Sequence, residues 1–363
     1  MQKRVIGIVG CIAVAGCGGT GTSGLFGPSS GGPPLGSSGQ DSGTTSGSSS
    51  GGSASSSSGG SSGGSSGSSS SGGASSGGSQ ADASTPPPQS DGGGGSDAGS
   101  PCYSEPYNPG VSIADLQSAY TSNDWLATSL TVMQRRYPTG YFVLNAEQGD
   151  PQLSEFVDAS SWPALMSSFL TVLDAETTSW DFDSATATVH PFVITSTMQI
   201  TVPILTTWPQ GEILQYITDD ATQAYDQTEL EGEEGTYDGI FLLDDLDSAC
   251  NGLAAATAVS DQITSGISAR DGVAAHLYYL ELFLRDGRTA HAASYAAIQA
   301  DPNWQKLVRY EWARGAFWDV QAQSNPNLQI AAAPIWANID APANLAEIQQ
   351  FTGDAPADVA CHP

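Results

Sequence analysis

Between Gly18 and Pro101 the chain offers almost nothing from which a core could be built. Twenty-seven of its 43 glycines fall between Gly18 and Gly99, among Ser, Thr and Pro, with no Lys or Arg. Such a stretch cannot bury enough apolar surface to offset chain entropy. It is expected to be a flexible coil, stiffened briefly at Pro86-Pro87-Pro88, with a span of roughly 50 Å. Any fold is therefore confined to Cys102–Pro363, which contains every tryptophan of the chain. That segment is long enough to bury a sizeable core.

Charge narrows the partners. The 363 residues carry 38 acids against 10 Lys and Arg, a formal charge of −28. A nucleic-acid partner is excluded, because a phosphate backbone needs a basic face. No apolar run approaches the roughly 20 residues of a membrane-spanning helix. Two motif matches inside the coil, Gly16–Gly21 for a dinucleotide loop and Gly47–Gly51 for a nucleophile elbow, follow from composition. Neither has a strand and helix around it.

The first residues have a different logic. Lys3 and Arg4 precede an apolar stretch from Val5 to Ala15, which ends in Val14-Ala15-Gly16-Cys17. The stretch has the length of a signal-peptide core and is too short to span a bilayer. This order of charge, apolar run, small residues and cysteine resembles the lipobox of bacterial lipoproteins. The resemblance covers residues 1–17. It implies cleavage after Gly16, a lipid on the Cys17 sulfur, and stable anchoring by two or more acyl chains. Gly18 in the next position points to the outer membrane of the bacterial cell envelope. Residues 17–101 then form the tether, and the membrane is a partner through the lipid.

In the remaining segment helix signals dominate. Ser112–Asp115 resembles a capping box. Asn123 or Asp124 can cap a helix that runs to Tyr137 and stops at Pro138. Tyr141–Leu144 reads as a short strand. Trp162 to Trp180 is a helix with Leu165, Phe169, Leu170 and Leu173 on one face. Phe192, Ile194, Met198, Ile200, Val202 and Ile204 alternate with polar residues, which predicts a half-buried strand or hairpin between Pro191 and Pro203. Further helices are expected over 212–229, 238–259, from Ser268 to Gly287, from Thr289 to Ala300, from Asp301-Pro302 onward, and over 343–351. The fold class is mainly α (α+β): a compact multi-helix bundle with a small β element. A monomer is expected.

Three cysteines remain for the exported segment. Cys102 opens it and Cys361 nearly closes it. Domain termini are often close, so these two are the preferred disulfide, with Cys250 a small buried residue on a helix. Pairings that involve Cys250 stay open, because connectivity cannot be read from spacing.

The chemistry is sparse. No HExxH, CxxC or P-loop occurs. Eleven acids crowd Asp219–Asp247, in a stretch without Lys or Arg from Tyr137 to Ala269. Asp244, Asp245 and Asp247 are the candidate metal ligands, with calcium as the ion, because Asp245-Leu-Asp247 begins like an EF-hand loop. The motif then breaks at Ala249. The plainer reading is a solvated acidic face that keeps an exported protein soluble. His276 and Glu281, on a nearly all-apolar helix, are the candidate catalytic pair. They point about 140° apart around it, and Arg285 stands ready as an ordinary partner for Glu281. Glu281 or Glu311 would be the acid of a lysozyme-like hydrolase, by analogy of architecture.

Two functions follow. One is an exported, membrane-anchored protein that presents an acidic helical module for a cationic or cell-envelope ligand. The other is a cell-envelope hydrolase, dependent on a metal or on carboxylates.

Overall fold

Ser161 begins the first long helix of the fold. Its side chain accepts from the Ala164 N–H, and Pro163 occupies the first turn. In the structure, a computed structural model, this helix is α4 (Trp162–Ser184). The structure describes residues 103–264, 266–267, 269–328 and 332–356. Cys17, the tether, Cys102 and Cys361, and with them the proposed anchor and disulfide, lie outside these residues.

Three short helices precede α4: α1 (Ala114–Ala119), α2 (Trp125–Arg136) and α3 (Pro138–Glu147). Tyr141–Leu144 therefore belongs to a helix and not to a strand. Pro138 ends α2 but also starts α3, since a missing N–H costs nothing in a first helical turn. A four-residue apolar run cannot by itself distinguish the two states.

After α4 comes the antiparallel hairpin of β1 (Val189–Thr195) and β2 (Met198–Pro203), with His190 opposite Val202 and Phe192 opposite Ile200. Strand β2 alternates between buried and exposed residues, whereas β1 is buried continuously from His190 to Ile194. It lies against α4 and the next long helix, which draws His190 into the core. Pro191 is inside the strand, opposite Thr201, rather than at its boundary.

The expected helix over 212–229 is broken. A 3-10 segment (Gln210–Tyr216), the single turn α5 (Gln223–Tyr225) and a π turn (Asp226–Leu230) replace it. Close backbone approach explains part of this: a Cβ on Gly211 would lie 2.6 Å from the Leu230 carbonyl oxygen. The Tyr279 hydroxyl also holds Asp226 at 2.6 Å and fixes the π turn from outside.

The core is organised around α6 (Gly239–Ala258), whose start is capped by the Asp238 side chain on the Ile240 N–H. Nearly every residue of α6 is buried, as befits a helix surrounded on all sides. It packs on α4, on α7 (Arg270–Ala290) and on α9 (Pro302–Gln323). Helix α7 runs three residues past Gly287, which is needed for a close approach instead: its Cβ would sit 2.2 Å from the Trp208 ring. Asp301 caps α9 on the Asn303 and Trp304 N–H groups, as its sequence predicts. Thr289 lies inside α7, and His291 precedes α8 (Ala292–Ala300). Helix α10 (Ala332–Ile339) has no counterpart in the sequence reading. Helix α11 (Pro342–Thr352) ends at Gly353 with φ +79°. The fold is thus mainly α with one small β hairpin. Among the described residues no helix is long and apolar enough to cross a membrane.

Helices α4 and α6 meet at Gly252, where a Cβ would come 2.6 Å from the Leu170 carbonyl oxygen. Backbone cannot yield as a side-chain tip can. Gly252→Ala should therefore lower stability by about 1–2 kcal/mol, even after helix propensity is credited. Urea unfolding checks this, and an unchanged midpoint would mean that the helices are not so close.

Candidate functional site

Acids cannot be buried in a helical core without donors, counter-charges or protons. This core holds several. Asp181 lies near the end of α4, on the stripe of Phe169, Leu173 and Thr177. Asp244 lies on α6, and His190 reaches them from β1. Their side chains are 0%, 1% and 2% exposed. One ligand atom from each lies within 4.8 Å of the others, with His190 Nε2 3.8 Å from Asp244 Oδ1. Both oxygens of Asp181, Oδ1 of Asp244 and Nε2 of His190 are buried, and the Asp181 carboxyl is in hydrogen-bonding contact with the carboxyls of Asp244 and Asp247.

The protonation pattern follows from burial. Burial pushes Asp181 well above the usual carboxylate range, and Asp247 and Asp244 push it further. The same burial raises Asp244, with Asp247 adding to it. His190 is pushed down to about 4 by burial, against the pull of Asp247 and Asp238. Its imidazole is therefore neutral at pH 7, and one ring nitrogen keeps a lone pair. Phe182 and Phe192 fix the ring from two sides, with centroids 4.9 and 4.8 Å away.

A network beside the cluster sets its electrostatics. Arg314 of α9 is fully buried. It donates to Asp247 of α6, to Asn251 Oδ1 at 2.7 Å and to the Val193 carbonyl, and it lies 3.6 Å from Glu105. Glu105 also accepts from Tyr103 at 2.8 Å, from Thr139 at 2.5 Å and from Trp318 at 3.0 Å. Asp247 is pushed up to about 6 by burial, which Arg314 opposes. One turn before Arg314, Glu311 is fully buried with neither oxygen bonded, and burial lifts it well above the usual range. Asp181, Asp244, Asp247, Glu105 and Glu311 thus face one guanidinium and one neutral imidazole.

Two carboxylates and an imidazole converging from three elements match the donors of first-row divalent metals, with carboxylate oxygen and imidazole nitrogen both suited to Zn²⁺, Mn²⁺ or Fe²⁺. A second trio, Glu212, Asp286 and His291, is partly exposed and largely engaged in contacts of its own. His291 Nε2 lies 2.9 Å from Glu212 and 3.5 Å from Asp286, whose other oxygen accepts from Tyr216 and Gln215.

The residues singled out from the sequence are scattered. Asp244 joins the cluster, Asp247 turns to Arg314, and Asp245, half-buried on the same helix, exerts its field on His276. The acidic stretch is accordingly not one solvated face, because Asp226, Asp244 and Asp247 are all buried. His276 forms an ion pair with Glu229 of the π turn at 2.8 Å, and its Nδ1 lies 2.9 Å from the Gly272 carbonyl oxygen. Glu281 accepts from Trp312 at 3.3 Å, while Arg285 binds Asn344 and Glu347. Arg285 is therefore not the ion-pair partner of Glu281. His276 and Glu281 engage separate partners.

Asp181 and His190 stand in no motif, although both carry a signal in the sequence. Asp181 falls on an apolar helical stripe at four-residue spacing, and His190 falls in the inward register of Phe192 and Ile194. Compared with protein-family models, curated proteins and solved structures, the chain matches none, and the reading of its function rests on the chemistry of this cluster.

Proposed function

We propose that the chain is an exported, lipid-anchored envelope protein whose helical domain is a divalent-metal-binding module centred on Asp181, His190 and Asp244. The carrying observation is the convergence of their buried ligand atoms from α4, β1 and α6. A dication there would neutralise the excess of buried acid, which otherwise has to be met by protonation. Ligand side chains no more than 2% exposed favour a retained, structural ion over one that meets substrate. The anchor is supported by residues 1–17, which carry the lipobox-like Val14-Ala15-Gly16-Cys17. A hydrolase is the second reading, because three protein ligands leave a fourth tetrahedral position for water.

Elemental analysis of the purified chain tests the metal. About one equivalent of a first-row metal per chain is expected, retained through dialysis and lost from His190→Ala and Asp181→Asn. Wild-type protein that remains metal-free after exposure to Zn²⁺, Mn²⁺ and Fe²⁺ would refute the module. Fatty-acid labelling that is unchanged in Cys17→Ala would refute the anchor separately.

A further inference from the structure

A second acidic group stands apart from this centre. Helix α3 ends at Glu147, and the chain turns through Gly149 and Asp150 with the Asp150 N–H on the Glu147 carbonyl at 2.8 Å. This turn brings both carboxylates over Glu176 of α4, so that oxygens of all three lie within 4.8 Å of one another. Glu147 and Asp150 are half-buried, whereas Glu176 is fully buried with both oxygens lacking a partner among the described residues. Asp150 accepts from the Gln152 N–H through Oδ1 at 2.7 Å. Asp150 and Asp183 add their fields at Glu147. The sequence supplies no Lys or Arg from Pro138 to Ser184 to answer this charge.

We propose that Glu147, Asp150 and Glu176 form a calcium site that clamps the end of α3 onto α4. The donors are all oxygen, which selects a hard cation over the metals suited to an imidazole-containing set. Calcium–oxygen distances of about 2.3–2.6 Å put ligands on opposite sides of the ion about 4.6–5.2 Å apart, a span that accommodates the observed grouping, while Mg²⁺ requires a smaller and stricter octahedron. Water completes the shell on the exposed side. Burial, then Asp150 and Glu147, push Glu176 up to about 8, which is the cost that a bound dication would remove. The site is independent of the Asp181–His190–Asp244 centre and of the anchor.

The test is thermal unfolding and calorimetric titration of the chelator-treated full chain with CaCl₂. About 5 mM Ca²⁺ should raise the melting temperature by about 3 °C, with a smaller rise for Mg²⁺. Glu176→Gln should abolish the rise, while Asp115→Asn, at an exposed acid of α1, should retain it. If Glu176→Gln does not fold, the double variant Glu147→Gln/Asp150→Asn, altered only at half-buried positions, should weaken Ca²⁺ binding at least about tenfold. No Ca²⁺ response in the wild type, or an undiminished response in these variants, overturns the site. An equal response to Mg²⁺ overturns its assignment to calcium.

Discussion

Arg314→Met should destabilise the protein by about 3–5 kcal/mol, the largest effect expected of a single polar substitution in this core. The guanidinium is fully buried and serves Asp247, Asn251, Glu105 and the Val193 carbonyl together. Methionine fills much of its volume but leaves two carboxyl groups without their cation in a low-dielectric interior. Breaking one partner out of a buried pair costs more than the pair itself contributes. Arg314→Lys should recover little, because an ammonium cannot reproduce the planar fork that reaches Asp247 and Asn251 at once. Adding Asp247→Asn to Arg314→Met should recover about half the loss, since it removes one of the stranded charges. Urea unfolding of the three variants measures this. A loss below about 1 kcal/mol for Arg314→Met would mean that the acids are already neutralised by protons or a metal ion, and that the arginine is ornamental to stability.

What the sequence made legible followed from local rules. The Asp301-Pro302 cap, the apolar face of α4 and the presence of a small β element after it depend on neighbours within one or two turns, so periodicity and capping sufficed. The failures were of two kinds. Tyr141–Leu144 was too short for its period to speak, and Pro138 works at either end of a helix. The 212–229 segment has helical spacing but is overridden by distant contacts, the approach of Gly211 to Leu230 and the grip of Tyr279 on Asp226. The site was harder. Asp181, His190 and Asp244 are 63 residues apart at their extremes and come from two helices and a strand. Their convergence depends on β1 being buried on both faces, which an alternating pattern does not announce. The charge count misled in the same way. Eleven acids in Asp219–Asp247 suggested a solvated face, yet α6 turns Asp244 and Asp247 inward because their helix is surrounded.

The pair of His276 and Glu229 ties the irregular π turn to α7 by charge, and its strength should vary with pH. Both ring nitrogens of His276 face acceptors, Glu229 and the Gly272 carbonyl, so the geometry calls for the imidazolium. Burial alone would lower its pKa. Glu229, with Asp245 from α6 and the Gly272 carbonyl, outweighs burial and pushes it up to about 9. In the unfolded chain the group titrates near 6.5. The stabilisation is therefore whole below pH 6.5, and it is lost as the pH rises through 9 and the folded state gives up its proton. Its full size is about 3 kcal/mol. Tyr279, the other titratable ring beside His276, is raised far above this window by burial and by Glu229 and stays neutral throughout. Glu229→Gln removes the charge but keeps the shape. It should cost about 3 kcal/mol at pH 6 and under about 1 kcal/mol at pH 10, where the wild-type imidazolium has already given up its proton. Urea unfolding of wild type and variant side by side at the two pH values cancels the other groups that titrate. An equal loss at both values would show that Glu229 acts through packing of the π turn and not through the imidazolium.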